Sequence, residues 1–361
     1  MADSIFDNVL EFAEKQQSEK RLKAAAECDL LAPELPFDSI WEPIEQLALV
    51  IPGFGICPGP VHLVTGSWYT GKTLFLLAMG MAVAAGKPLF GLHFTNRGKW
   101  IHFDHEMGKR HYQRYMQRLR AGLGIDIEDM RGNVSPRILP RLNLCHPEAV
   151  DHYCRLLEGR QICTVDPLRA AAPGQNENDS EYRQWVDLLN TVSDKTGCSV
   201  VLLHHGGKPV EGAKRRNTGR GTSAIDDAAQ SKFVLTAEKG GPVQVSHEKT
   251  RELPSPLDDF WFRIENDVDA VRLVHLNREQ VDRHVAAQEA DKEAGKVQKA
   301  MEAIRAALGR YAGRFHGTRT EFLDLLDGDR NALSKAFTVL KAEGAIQVSG
   351  GHGQRVIGMT V

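Results

Sequence analysis

Eight consecutive residues, Gly66 to Thr73, have the types and the spacing of a loop that binds phosphate groups. They match the pattern G-x-x-x-x-G-K-T, in which glycines let backbone N–H groups close around phosphates, Lys72 reaches the β and γ oxygens, and the Thr73 hydroxyl binds Mg²⁺. Residues 61–65 predict a buried strand before the loop, and residues 74–85 predict a helix whose N-terminus holds the phosphate. The sequence therefore predicts a site for ATP and Mg²⁺ formed by Gly66, Ser67, Trp68, Tyr69, Thr70, Gly71, Lys72 and Thr73.

An apolar segment farther along the chain ends in an acid. Residues 161–165 predict a buried strand, and Asp166 follows it directly. ATP hydrolysis needs a carboxylate that orients the metal ion. Downstream of a phosphate-binding loop, Asp166 is therefore the predicted Mg²⁺ ligand, acting together with Thr73.

Hydrolysis also needs a base that positions the attacking water. Residues 99–104 predict a strand that emerges into Glu106. Catalytic groups in α/β sheets lie just past the carboxyl ends of the strands, so this position favours Glu106 as the catalytic base, with Asp104 as the competing choice.

A further buried strand, residues 198–204, ends in the pair His204 and His205. A metal site there is disfavoured, because neither Cys nor a carboxylate stands nearby in sequence. We predict instead that His205 senses the γ-phosphate and relays its loss to the loop that follows, residues 206–221.

That loop is rich in glycine and holds five cations against one acid. Such a loop is either a solvated surface segment or a contact to a phosphate backbone, and its basic charge next to His205 favours the second. The predicted DNA-binding residues are Lys208, Lys214, Arg215, Arg216 and Arg220.

The surrounding segments must position these residues. Strand and helix patterns alternate from residue 61 onward, which predicts an α/β fold with a mostly parallel sheet and helices on both faces. The predicted helices are 72–85, 108–122, 147–158 and 180–196. Two hairpins follow, pairing residues 233–237 with 243–247 and residues 261–265 with 270–275.

The two ends of the chain predict separate parts. Residues 1–45 predict a helical arm, 46–280 the nucleotide-binding domain, 281–295 a helical linker and 296–361 a small C-terminal domain. The last segment predicts three helices and a two-stranded wing, the winged-helix pattern, which binds duplex DNA or docks proteins. Its candidate recognition helix carries Arg330, Asn331, Ser334, Lys335 and Lys341.

The composition of the chain gives expectations about its partners and its cellular compartment. The formal net charge of −2 points to no particular partner. Six cysteines without a C-x-x-C pair favour buried, reduced thiols in a cytoplasmic protein. No run approaches the ~18 apolar residues of a membrane span, so we expect no membrane association.

Taken in order, these motifs resemble those of RecA-fold ATPases, in particular the RepA-type hexameric replicative helicases of broad-host-range plasmids and, more distantly, the DnaB and KaiC groups. The resemblance spans residues 50–252 and leaves the C-terminal segment unexplained. Besides the phosphate-binding loop, it is carried by segments 86–91, 165–168, 173–179, 204–208 and 219–224, by Glu106 and by Lys249-Thr250-Arg251. One departure is the pair Trp68 and Tyr69, since related loops carry small residues there.

The resemblance implies a ring of protomers with shared active sites. Glu106 would be the base, Asp166 the Mg²⁺ ligand and His205 the sensor, while Lys249 and Arg251 would reach into the ATP site of the neighbouring subunit. The implied function is a DNA-dependent ATPase, a hexameric helicase that acts on single-stranded DNA in replication of a plasmid, phage or other mobile element.

Three alternatives stay open at this point. They are an ATP-gated regulator that binds duplex DNA through the winged helix, a recombination mediator that forms filaments on single strands, and a KaiC-like ATPase without a nucleic-acid partner.

Overall fold

The computed structural model describes residues 36–42, 49–59, 61–174, 180–205, 223–238, 240–251, 253–351 and 355–360. The chain divides into two compact units, residues 1–47 and 48–361. In the first unit the described residues include one short 3₁₀-helix, Asp38–Trp41. Most of the predicted N-terminal arm lies outside the described residues.

The centre of the second unit is a nine-stranded sheet in the order β3-β2-β4-β5-β1-β6-β7-β8-β9. Strands β1 to β6 run parallel, whereas β7, β8 and β9 are antiparallel. The strands are β1 (Val61–Gly66), β2 (Trp100–Asp104), β3 (Val134–Ile138), β4 (Ile162–Asp166), β5 (Ser199–His205), β6 (Ser231–Ala237), β7 (Val243–Lys249), β8 (Phe260–Asn266) and β9 (Val271–Leu276). The predicted mostly parallel α/β sheet is thus confirmed.

Helices cover both faces of this sheet. They are α1 (Lys72–Ala85), α2 (Lys109–Leu123), α3 (Ile127–Met130), α4 (Ala149–Leu157), α5 (Leu168–Ala171), α6 (Gln184–Thr196) and α7 (Ser223–Ala228). Short 3₁₀-helices add Pro52–Phe54 and Ser180–Arg183. Strands β1, β2 and β4 are buried along their whole length, as parallel strands covered on both faces must be.

The helix that follows the phosphate-binding loop is the most deeply placed. Nearly every residue of α1 is buried, which its run of Ala, Leu and Met permits. At Gly80 a Cβ would lie 2.0 Å from the ring of Trp100, so glycine allows α1 to approach β2 closely. This packing holds the N-terminus of α1 rigidly at the carboxyl edge of the sheet.

The C-terminal segment differs from its prediction at the linker. Residues 281–295 were expected as a helical linker and 296–311 as the first helix of the next domain, and the two form one continuous helix of 33 residues, α8 (Arg278–Arg310). A capping box of Asn277 and Gln280 starts it, and the Ala-, Glu- and Lys-rich sequence contains no proline to stop it.

The remaining elements pack on the end of α8. They are β10 (Arg314–His316), α9 (Arg319–Asp324), α10 (Arg330–Ala342), β11 (Ile346–Ser349) and β12 (Val356–Met359). The three strands form a separate antiparallel sheet in the order β10-β12-β11. A core that includes Ile304, Leu308, Phe322 and Phe337 joins helices and sheet. The winged-helix assignment and the domain boundaries stay predictions.

Two properties of the described residues bear on the setting of the protein. None of the helices described is both long and apolar enough to cross a membrane. Cys57, Cys163 and Cys198 are buried cysteines, and Cys145 and Cys154 are half-buried.

Candidate functional site

The phosphate-binding loop joins β1 to α1 and depends on its two glycines. Gly66 has a φ of 155°, and a Cβ there would lie 2.3 Å from the carbonyl oxygen of Leu235. Gly71 has a φ of 79°, and its Cβ would lie 2.4 Å from Ile264. Any side chain at either position would displace the loop, so its backbone path requires glycine.

Lys72 stands at the first position of α1 with little exposed surface. Its Nζ donates to the carbonyl oxygen of Ser67 at 2.6 Å, which folds the side chain back over the loop. Burial lowers the pKa of Lys72 to about 8, although the charges of Asp166 and Glu106 act in the opposite direction. The ammonium is therefore incompletely compensated and suited to receive an anionic ligand.

Two buried aspartates end the neighbouring strands β2 and β4. Asp104 and Asp166 are paired residues in the register of these strands. Asp166 forms a side-chain hydrogen bond with Thr73, and burial raises its pKa to about 7, with the charges of Asp104 and Glu106 adding to the shift. The predicted metal ligands Thr73 and Asp166 are thus in direct contact.

Asp104 has a different environment from Glu106. One carboxylate oxygen of Asp104 accepts the backbone N–H groups of Glu106 at 3.0 Å and Met107 at 2.7 Å. Burial raises the pKa of Asp104. Its carboxylate therefore shapes the turn after β2, while the exposed side chain of Glu106 lines the open cavity. Glu106 therefore lines the cavity and Asp104 does not, and the choice of Glu106 as the base stays a prediction.

His205 lies across the cavity from the turn after β2. It ends β5, pairs with Gly66 in the strand register, and places Nε2 3.8 Å from a carboxylate oxygen of Glu106. The structure thus brings the predicted base and the predicted sensor to the same edge of the sheet as Lys72.

These side chains open onto one cavity of about 680 Å³, a size typical of small-molecule sites. Sequence reasoning missed five of the residues that line it, namely Leu74, Tyr115, Arg169, Ile264 and Asn266. Tyr115, an exposed aromatic on the polar helix α2, and Arg169, three residues after Asp166, offered weak signals. Ile264 and Asn266 offered none, because only the folding of the β8–β9 hairpin brings them to the loop.

The two bulky loop residues project at the mouth of this cavity. Trp68 is 60% exposed and Tyr69 is 98% exposed. Tyr69 has a φ of 64°, a left-handed conformation that is uncommon for an aromatic residue. The Trp68 ring centroid lies 6.4 Å from that of His205. Both aromatic residues therefore stand where a bound nucleotide or a neighbouring molecule would meet them.

Lys249 and Arg251 lie at the other edge of the sheet. Lys249 pairs with Lys232, three residues before the position that pairs with Gly66, and β7 runs antiparallel. At about 3.3 Å per residue, the end of β7 is roughly 10 Å or more from the loop of its own chain. The Nζ of Lys249 donates to the carbonyl oxygens of Asp226 at 2.6 Å and Asp227 at 3.0 Å, at the end of α7.

Arg251 has a similar environment. Its guanidinium donates to the carbonyl oxygen of Asp227 at 3.2 Å. The structure therefore does not bring Lys249 or Arg251 to the cavity formed by this chain. The five predicted DNA-binding residues of the loop 206–221 lie outside the described residues.

The donor set fits a magnesium ion. One carboxylate oxygen each of Asp166 and Asp104 is buried without a hydrogen-bond partner among the described residues. Mg²⁺ is bound in such sites by one or two carboxylates together with substrate phosphates. Thr73 and Asp166 would hold it, and the unpartnered oxygen of Asp166 is a ready ligand.

Comparison with solved structures finds a likeness to a KaiC-like protein from the hyperthermophilic archaeon Pyrococcus horikoshii OT3. The two share 20% sequence identity with a TM-score of 0.42, over 64% of this chain and 99% of that chain.

Comparison with families gives a match over the segment that contains the phosphate-binding loop and strands β1 to β5. Residues 24–211 match the family described as AAA domain. Since this match covers more than half of the chain and includes the complete nucleotide cradle, the protein belongs to the AAA domain family and is a P-loop ATPase.

Proposed function

We propose that the protein hydrolyses ATP with Mg²⁺ and couples hydrolysis to movement along single-stranded DNA, as a ring-forming helicase in the replication of a plasmid, phage or other mobile element. The observation that carries the ATPase step is the convergence of Lys72, Thr73 and Glu106 on one cavity, with Asp166 bonded to Thr73. The family match supports the motor ATPase, and the helicase step rests on the motif resemblance.

Five residues at this edge of the sheet have a role in this proposal, namely Lys72, Thr73, Glu106, Asp166 and His205. Thr73 and Asp166 would hold Mg²⁺, which would supply charge neutralisation for the phosphates. Lys72 leaves the carbonyl of Ser67 and pairs with the phosphates. Thr73 and Asp166 hold the metal, so ligand binding must drive Asp166 to its ionised form.

Glu106 acts on the nucleophile. Its exposed carboxylate orients a water toward the γ-phosphate and accepts a proton from it. His205, 3.8 Å from Glu106, contacts the γ-phosphate or the water, and loses that contact after hydrolysis. Because residue 206 begins the basic loop, this loss is passed directly to the segment that carries Lys208, Lys214, Arg215, Arg216 and Arg220.

The positions of Lys249 and Arg251 support an active site completed by a second protomer. They lie at the amino edge of the parallel strands, and α7 holds them there. A head-to-tail arrangement would place this edge against the next protomer's nucleotide and, on closing, would give a ring such as a hexamer. Neither Arg251→Ala protein nor Lys72→Ala protein should turn over ATP alone. If mixing the two restores turnover, this would support a role of Arg251 in the active site of a neighbouring chain.

The C-terminal segment gives less support to a duplex-reading regulator. On α10, Lys335 pairs with Glu293 at 2.8 Å and Arg330 pairs with Asp324. Cations engaged in this way must break their ion pairs before they reach base edges. The regulator and the recombination mediator remain the alternatives to a helicase.

The test is steady-state ATP turnover by the full chain with and without single-stranded DNA. We expect strong stimulation by single strands and loss of turnover of at least about 10³-fold in Lys72→Ala protein. Turnover retained in Lys72→Ala protein would disprove the loop assignment. Turnover that no single strand stimulates, with tight binding of one duplex sequence, would favour the ATP-gated regulator instead.

A further inference from the structure

A second cavity, of about 390 Å³, shares no lining residue with the nucleotide cavity. It is formed by the loop after β3 and by helix α4. Its lining consists of two arginines, two histidines and two leucines, namely Arg141, Leu142, His146, His152, Arg155 and Leu156. No carboxylate is among the described residues that line it, so the lining itself is basic, while the Glu148 carboxylate lies beside it against His152.

The hydrogen bonds of the two histidines fix their neutral tautomers. The backbone N–H of Glu148 donates to Nδ1 of His146 at 3.2 Å, and a guanidinium nitrogen of Arg155 donates to Nδ1 of His152 at 2.9 Å. Since each Nδ1 accepts, each neutral ring carries its proton on Nε2. The Nε2 of His152 lies 3.3 Å from the carboxylate of Glu148, which leaves Nε2–H of His146 as a donor.

The two arginines supply the charge. Across the part of the chain that the structure describes, the Arg141 guanidinium has neither an ion-pair nor a hydrogen-bond partner. Arg155 uses Nε and one terminal nitrogen for the Asp151 carbonyl and His152, so its other terminal nitrogen keeps its donors. Guanidinium groups with unused donors match the oxygens of a phosphate.

The loop that carries Arg141 and His146 is fixed to the segment after β4. The backbone N–H of Leu144 donates to the carbonyl oxygen of Ala171 at 2.8 Å, and Leu144 is buried. Ala171 ends α5, the helix whose Arg169 lines the nucleotide cavity. The cavity is thus attached to the ATPase core through a short, rigid connection.

We infer that this cavity binds a backbone phosphate of single-stranded nucleic acid, held by Arg141, Arg155 and Nε2–H of His146. The inference rests on the proposed function for its choice of partner. It adds a contact outside the loop 206–221, on a different element of the fold.

The position of the cavity favours a nucleic-acid strand over a free phosphate ion. The loop after β3 and the loop after β5 leave the same edge of the parallel sheet, with β2 and β4 between them. Three strand spacings separate them by about 14 Å. That distance is about four nucleotides at the rise of ~3.4 Å per nucleotide in a stacked strand. Leu142, Leu156 and the histidine rings offer an apolar surface to sugars and bases.

The test is the salt dependence of binding between the full chain and a fluorescently labelled oligothymidylate. Each lost phosphate contact reduces the slope of log Kobs against log salt concentration by about 0.7 for a single strand. Because both arginines hold the same phosphate, we expect Arg141→Gln with Arg155→Gln to reduce the slope by about 0.7, and to weaken binding on the order of tenfold. Arg141→Lys should retain most of the slope, and basal ATP turnover should not change.

The matched control is Arg131→Gln, because Arg131 is also an exposed arginine, but it pairs with Glu128 and precedes β3 at the other sheet edge. A slope unchanged in the double variant, with wild-type protein binding the oligonucleotide, would overturn this inference and leave the proposed function intact. No binding by wild-type protein would remove the nucleic-acid partner and this inference together. Histidine NMR signals that move with inorganic phosphate, with an unchanged oligonucleotide slope in the variant, would assign the cavity to a small anion and overturn it as well.

Discussion

Lys72 and Lys232 are equally buried, with 5% and 4% of their surface exposed, yet they lie at opposite edges of one sheet and in opposite electrostatic states. Lys232 has two carboxylates close to its Nζ, Asp226 at 2.6 Å and Glu248 at 3.4 Å. Lys72 donates to a neutral carbonyl oxygen instead, and its pKa is lowered to about 8 by burial. The amino edge of the parallel strands is therefore internally compensated, whereas the carboxyl edge is left in need of a ligand.

The same contrast holds for the acids. At the amino edge, Asp226 is paired with Lys232. At the carboxyl edge, Asp104 and Asp166 each keep a buried oxygen without a partner in the described part of the chain. Compensated charges stabilise a fold, and uncompensated ones destabilise it until a ligand arrives. The comparison teaches that this sheet gives up stability at one edge for binding.

The largest expected effect is a difference in unfolding free energy between a variant at Lys232 and a variant at Lys72. Lys232→Met leaves Asp226 and Glu248 as uncompensated, partly buried acids, and should lower the free energy of unfolding by about 3–5 kcal/mol. Lys72→Met removes a desolvated ammonium and should leave stability unchanged or raise it. Denaturant unfolding of the nucleotide-free variants at pH 7 measures both.

Equal losses in the two variants would contradict the comparison. Conversion of Arg131 to Gln, at a solvent-exposed ion pair, provides the baseline, since such pairs contribute little to stability.

The sequence alone predicted those residues of the carboxyl edge that lie in or directly after a clear local pattern. The loop 66–73 has a complete motif, and the strands that carry Asp104, Asp166 and His205 have apolar runs with clear ends. A buried parallel strand is legible because its residues contact core on both faces.

The sequence did not predict strands β3 and β10 or the full length of helix α8, because their residue patterns are weak or misleading. Strand β3 contains Pro136 and is only partly buried, which its place at the edge of the sheet allows. Three-residue β10 is too short to show alternation. Helix α8 was divided at its polar first half because that half faces solvent and has no apolar stripe to mark it.

Parts of the candidate site were also beyond sequence reasoning. Ile264 and Asn266 reach the cavity from a hairpin almost two hundred residues after the loop (roughly the length of a whole domain), and no spacing rule links them to it. The partners of Lys249 are backbone carbonyl oxygens at the end of α7, and backbone groups leave no trace in residue types.

A smaller effect on stability should come from Asp166, at the carboxyl edge of the parallel strands. Burial raises the pKa of Asp166 to about 7 from its ordinary value of 3.8. Between these two values the folded protein binds more protons than the unfolded chain, so stability falls as the pH rises from about 4 to about 7. Asp166→Asn removes this penalty and should raise the unfolding free energy of nucleotide-free protein by about 1–3 kcal/mol at pH 8, but not at pH 4.

Thermal or denaturant unfolding across this pH range measures the difference. A stability gain that is the same at pH 4 and pH 8 would show that titration of Asp166 is not its cause. Asp187→Asn, at an exposed ion pair with Arg183, is the control for loss of one negative charge.

The smallest expected effect is the pH dependence of ATP turnover, which depends on the charge of Asp166 and on the charge of Lys72. In the free protein Asp166 must be ionised, which occurs above about pH 7, and Lys72 must be protonated, which holds below about pH 8. We therefore expect kcat/KM for ATP to be highest between these values, and to fall about tenfold per pH unit outside them. His205→Asn should keep the acid limb at a lower rate, because that limb belongs to Asp166 and not to the histidine. If the acid limb is lost in His205→Asn protein, the group that titrates there is His205 and not Asp166. The contrast between the two sheet edges would then no longer rest on an unpaired carboxylate.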